Sequence, residues 1–153
     1  MTDTAPMPEE SMPQSEVTRL GGMFSWQSIV FVILSVAGLA VGLTYIFGFT
    51  WDDQRLLEGQ YYWLFIGLFT AAAFIALPAF SGQKKVPIYD LVAAAVALVI
   101  SVYFSTHAWD MVQAGWTQIP MGAVIWLLML EVARRSGGLP FLLVVLLLGL
   151  YPL

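Results

Sequence analysis

The sequence predicts an all-α, polytopic helical membrane protein, with four transmembrane helices and a fifth apolar segment that is short or truncated. Three observations carry this. Hydrophobic residues make up 59% and charged residues 10% of the 153, against about 45–50% and about 25% in an average soluble domain. Too little polar surface is left to cover a water-soluble fold. The charges are also clustered, with none between Arg19 and Asp52, Glu58 and Lys84, Asp90 and Asp110, Asp110 and Glu131, or beyond Arg135. Several of these intervals supply the ~20 mostly apolar residues that cross a bilayer as a helix. Finally, Trp, Tyr, Pro and Gly gather at the margins of the apolar runs, where interfacial anchors and helix ends belong. A net charge of −4 without a basic patch excludes nucleic-acid partners, and the absence of Cys excludes a disulfide framework.

Residues 1–22 stand apart. Asp3, Glu9, Glu10 and Glu16 face a single Arg19, and Pro6, Pro8 and Pro13 interrupt a stretch nearly free of large apolar side chains. Such a composition cannot offset the entropy of ordering, so an acidic, disordered tail is expected. It lacks the basic start and short apolar core of a cleavable signal peptide.

The first span, residues 26–49, is flanked by Trp26 and Trp51 and carries the pair Gly38 and Gly42 at GxxxG spacing. Lipid supplies no hydrophobic drive for helices to associate, so small residues at this spacing mark a packing face. The second span, 61–80, opens on Tyr61, Tyr62 and Trp63, and Pro78 bends or ends its last turn. In the third, 88–106, Ala93, Ala97 and Ser101 recur every four residues as another helix-contact stripe. The fourth is 116–133, with Pro120 suited to a first helical turn. A polar break follows, from Glu131 through Arg134 and Arg135 to the glycines at 137 and 138. The last apolar segment, 139–153, reaches only about 22 Å as a helix, short of the roughly 30 Å hydrocarbon core. It is either re-entrant, packed under protein, or the start of a further helix of a longer permease-like chain, and the mismatch favours the last.

Lys and Arg collect in cytoplasmic loops. With the tail inside, four alternating spans place Arg19, Lys84, Lys85, Arg134 and Arg135 on the inner face and only Arg55 outside. The expected topology is therefore multi-pass with a cytoplasmic N-terminus.

Little here resembles catalytic equipment. The single histidine, His107, cannot supply two axial haem ligands, and without Cys it has no metal-binding company. It reads as an interfacial residue beside Trp109. Asp52 and Asp53 are neighbours whose side chains diverge, as in a hydrated loop. Asp90 follows Pro87 closely enough to sit in a first helical turn, where a carboxylate meets the positive end of the helix dipole. Glu131 precedes Arg134 and Arg135 by three and four residues, the spacing of pairing on one helical face. No span holds two or more charges, as a channel filter or proton relay would require. A scaffold with no catalytic residue, no metal and no cofactor of its own is the reading.

Three passages resemble a known family. They are YYWLFIGLFTAAAFIALPAF from Tyr61, VPIYDLVAAAVALVISVYF from Val86, and QAGWTQIPMGAVIWLLMLEVARRSGGLP from Gln113, whose Leu-Glu-x-x-Arg-Arg-Ser-x-Gly pattern closes a span. The chain from Tyr61 to Leu153 resembles the N-terminal, small-subunit-like membrane region of fused permeases of tripartite ATP-independent periplasmic (TRAP) transporters, in the branch served by TAXI-type binding proteins. The resemblance implies the small four-helix part that braces a large permease domain in the bacterial or archaeal cytoplasmic (inner) membrane and helps receive a periplasmic TAXI-type solute-binding protein. It implies secondary transport of an organic acid by symport with sodium, the ions and substrate being held in the large part, which lies outside this chain. Only Glu131, Arg134 and Arg135 match the family pattern, and helix spacing gives them the role of an inner anchor. Two other readings stay open: the small four-helix membrane subunit of a tripartite tricarboxylate-type transporter, and a non-transport membrane anchor subunit.

Overall fold

In the computed structural model, which describes residues 20, 25–51, 54–55, 58–80, 83, 85–107, 116 and 118–150, α1 (Trp26–Phe47) begins at Ser25. The Ser25 hydroxyl accepts a hydrogen bond from the Ser28 backbone N–H at 3.3 Å, which satisfies one of the free donors of the first turn. The helix stops at Gly48, whose φ of 64° is open to glycine at little cost. There Gly48 N–H donates to the Tyr45 carbonyl and Phe49 N–H to that of Thr44, the two bonds of a Schellman ending. This cap closes α1 two residues before the expected limit at 49. A short antiparallel ladder follows, β1 (Thr50–Trp51) with β2 (Gln54–Arg55), Thr50 opposite Arg55. The acidic tail expected at 1–22 lies outside the described residues apart from Leu20, and Asp52 and Asp53 lie outside them entirely.

Helix α2 spans Glu58–Ala76, so it begins and ends earlier than the expected 61–80. Its acidic first turn extends the start, with Glu58 at the positive end of the dipole. Pro78 sets the end, because its ring disfavours helical geometry at Leu77. Helix α3 covers Ile88–Thr106, entered from the extended Pro87 and leaving at His107.

The largest departure from expectation concerns the fourth span and the fifth apolar segment. They lie in α4 (Gln118–Leu150), two helical arms joined by a break at Gly138 (φ 70°, ψ −169°). Gly138 adopts a conformation essentially closed to other residues, and Pro140 two positions later cannot continue the hydrogen-bond ladder. The chain then turns back on itself: a Cβ on Gly149 would lie 3.4 Å from Trp126 Nε1. A straight helix would separate these residues by about 34 Å. Along the returning arm Leu142, Val145 and Leu146 are half-buried while Phe141, Leu143, Val144, Leu147 and Leu148 are exposed, a helical stripe laid against the first arm.

Among the described residues four helices, Trp26–Phe47, Glu58–Ala76, Ile88–Thr106 and Gln118–Gly149, are long and apolar enough to cross a membrane. Helix α2 is central and packs most extensively on α1 and α3. Two small clusters form the core. Ala71, Phe74 and Ala94 make one, with Leu34 and Val132 against it. Ala97, Phe104 and Ile125 make the other, with Trp63 and Ile66. At one end of the bundle the Ser105 hydroxyl donates to the Gln60 carbonyl at 3.2 Å, and the Tyr45 and Tyr61 rings stack at 4.4 Å. The opposite end gathers the finish of α2, the start of α3 and the Gly138 break of α4.

Candidate functional site

The charges of the bundle converge at that second end. Arg135 extends from the last turn of the first α4 arm, one turn before the break, into the space between α2 and α3. Its Nη2 meets Asp90 Oδ1 at 2.8 Å, and both side chains are buried, 4% and 0% exposed. Its Nε donates to Glu131 Oε1 at 2.9 Å and its Nη1 to the Leu77 carbonyl at 3.3 Å. The guanidinium carbon lies 4.8 Å from the centre of the Phe74 ring. One side chain thus touches the end of α2, the start of α3 and its own helix. Each contact has an electrostatic reason. The carbonyls at a helix C-terminus carry partial negative charge and attract a cation, and an aromatic face does the same.

Arg134 lies on the outer flank. It donates through Nε to Glu131 Oε2 at 2.7 Å and through Nη2 to Oε1 at 2.6 Å, a fork-to-fork pair about one-third exposed. Two carboxylates and two guanidinium groups make a neutral set. Both Glu131 oxygens accept from arginine, so this carboxylate is engaged in holding the helix face. Removing one member of a buried pair strands a charge at a cost of about 3–5 kcal/mol, which makes Asp90 and Arg135 mutually dependent.

Asp90 takes the expected place in the first turn of α3, and the structure adds a partner that one helix could not show. It is fully buried and its charge faces Arg135 rather than water. Each residue had a sufficient local explanation, and 45 positions of chain separate them. The available signal was an acid and an arginine at the same end of two adjacent spans.

The packing residues fall on two helix contacts. Gly38 and Gly42 are the buried glycines of α1. A Cβ on Gly38 would come within 2.6 Å of the Phe69 ring, whereas one on Gly42 would stand 4.0 Å from Phe65. On α3, Ala97 and Ser101 are buried and Ala93 is half-buried. The residue opposite this stripe, Gly67 of α2, is one the sequence reading missed: a Cβ there would overlap the Ser101 side chain. Gly67 and Ala71 keep the four-residue spacing of small residues that would have marked the face.

His107 ends α3 with Nδ1 at 2.9 Å from the Thr106 hydroxyl and its ring stacked on Tyr103, and is exposed. Trp109, its expected neighbour, lies outside the described residues. Among the described residues no group of three or more His, Asp or Glu side chains could hold a metal ion. An open apolar cavity of about 260 Å³ lies between α2 and α4, lined by Phe65, Ile66, Phe69, Thr70, Met129 and Val132. No family model, no curated protein and no solved structure matches this chain.

Proposed function

We propose that this chain is the membrane-embedded, small-subunit-like scaffold of a TRAP-type secondary transporter permease, bracing a larger permease domain that imports an organic acid with sodium and a periplasmic binding protein. The observation that carries the reading is the polar pattern from Glu131 to Gly137, which closes a span in the manner of that family. In this chain the same residues supply three of the four charges of the cluster, and one of them, Arg135, ties α4 to α3 through Asp90. The composition of the surface is compatible with bracing: α1 and α4 present Ile33, Val36, Leu39, Ile46, Leu127 and Leu147 outward, faces suited to lipid or to further helices. A neutral charge cluster fully engaged with itself suits a holding role better than ion passage.

The test is reconstitution with the large permease part and its binding protein in proteoliposomes. Sodium-driven uptake of the organic acid is expected to require residues 25–150, and uptake undiminished without them removes the proposal. Single cysteines at Thr4 and Gln54 test the orientation. An impermeant maleimide added outside is expected to label only the one at Gln54, and labelling of Thr4 from outside inverts the proposed topology.

A further inference from the structure

We propose that the Asp90–Arg135 pair is an assembly latch, through which the α4 hairpin docks as a unit onto an α1–α3 body that holds together without it. This rests on the chain lying in a bilayer, and goes beyond the bracing role. Helices α2 and α3 meet along small residues, Gly67 against Ser101 and Ala97, with Ala71 and Ala97 fully buried. Helix α1 is seated by Gly38 on Phe69. The α4 contact is of another kind. Ile125, Leu128 and Val132 reach the core, but the apolar cavity of about 260 Å³ leaves α4 apart from α2 beside them. Its firm attachment is at one end, where Arg135 is held by Asp90, by the Leu77 carbonyl and over Phe74.

In lipid, apolar contact alone gives helices little reason to associate, so the polar contact sets the preference. Before docking, Asp90 in the first turn of α3 and Arg135 at the margin of α4 can both reach interfacial water. Docking withdraws both from it, to 0% and 4% exposure, and each then depends on the other. Other charges at this point lie on α4 itself: Glu131, which accepts from both Arg134 and Arg135, and Arg134. Arg135→Ala therefore strands a buried carboxylate, while Asp90→Ala leaves Arg135 paired only with Glu131 on its own helix; either change removes the charge pair that holds α4 to α3.

The experiment uses the full chain in liposomes, taking advantage of the absence of native Cys. Spin labels at exposed Tyr62 and Val124 report α2–α4 separation far from the latch, and labels at Tyr62 and Val102 report α2–α3. Asp90→Ala and Arg135→Ala are each expected to replace the short Tyr62–Val124 population with a broad, longer one while Tyr62–Val102 stays fixed. The double variant is expected to be displaced no further than either single one, because the two groups act as one unit. Three results overturn the latch: a retained short distance in either single variant, movement of both label pairs together, or a double variant displaced further than both singles. Recovery of the chain in carbonate-washed membranes reads bilayer embedding separately.

Discussion

Gly67 on α2 and Ser101 on α3 approach so closely that a methyl group on the glycine would overlap the serine side chain. The overlap is with Ser101 Cβ, an atom fixed to its own backbone, so α3 cannot yield at that position without moving backbone. Gly67→Ala is expected to destabilise the α2–α3 pair by about 1–3 kcal/mol, the usual cost of overpacking. Gly122→Ala is the control: nothing lies within 4 Å of its Cβ position, and alanine favours a helix interior over glycine by about 0.5–1 kcal/mol. Thermal unfolding in detergent should therefore lower the midpoint for the first variant and hold or raise it for the second. Equal midpoints would mean that the close approach is not a stabilising contact.

The Ser101 hydroxyl is buried with no hydrogen-bond partner among the described residues. Its burial carries a desolvation cost of about 1–3 kcal/mol that no bond offsets. Ser101→Ala keeps the Cβ against Gly67 and removes the hydroxyl, so the variant is expected to be more stable than the parent by about 1 kcal/mol. A lower melting midpoint would show that the hydroxyl is bonded in the membrane.

Gly38 and Gly42 look equivalent as a GxxxG pair but meet different surroundings. A Cβ at Gly38 would lie 2.6 Å from the Phe69 ring, and one at Gly42 would lie 4.0 Å from that of Phe65. Gly42→Ala should be tolerated. Gly38→Ala should weaken the α1 contact by about 1 kcal/mol, a modest cost because the ring of Phe69 can shift. Pairing Gly38→Ala with Phe69→Leu should recover most of the loss, giving a coupling of at least ~0.5 kcal/mol in a double-mutant cycle. Strict additivity of the two changes would disprove the contact.

Much of the helical frame is legible in the residues. Charge-free runs locate the four apolar helices, Pro87 marks the entry of α3, and small-residue spacing points to the faces of α1 and α3. What is harder to see depends on tertiary placement. The end of α2 at Ala76 rather than Phe80 follows from Pro78, but a proline near a helix end allows a kink as readily as a stop. Gly67 is hidden because nearly all of its run is apolar, so composition does not distinguish the buried face from the exposed one. The Asp90–Arg135 pair is hidden because dipole and spacing arguments treat one helix at a time. The reversal is encoded in Gly137, Gly138 and Pro140, but glycine and proline mark a break without fixing the direction in which the chain leaves it.

That reversal makes its own prediction. Any side chain at Gly138 must adopt φ near 70° with ψ near −169°, a region costing roughly 1–3 kcal/mol for an L-residue. Gly137→Ala meets a different obstacle, with its Cβ placed 2.5 Å from that of Phe141. Spin labels at exposed Leu127 and Leu148 should show one short distance across the two α4 arms in the parent. Gly138→Ala should lengthen or broaden it. A distribution unchanged by Gly138→Ala would show that the arms are joined by some other geometry.

Arginine at position 135 should not be replaceable by lysine. Three separate nitrogens are used, Nη2 toward Asp90, Nε toward Glu131 and Nη1 toward Leu77, while the guanidinium lies over Phe74. These partners belong to three helical segments and surround a planar group. A lysine ammonium has its donors on one atom and is more strongly hydrated, so it cannot meet all of them at once. Arg135→Lys keeps the charge opposite Asp90 and avoids stranding a buried carboxylate, which limits the damage. The expected loss is about 1–2 kcal/mol, below the ~3–5 kcal/mol expected for Arg135→Ala. Arg134→Lys, at a pair one-third exposed, should cost under ~1 kcal/mol. The ranking Arg134→Lys, Arg135→Lys, Arg135→Ala in falling stability is the measurable outcome. Parity between the two lysine variants would mean that the fork geometry at Arg135 contributes nothing beyond its charge.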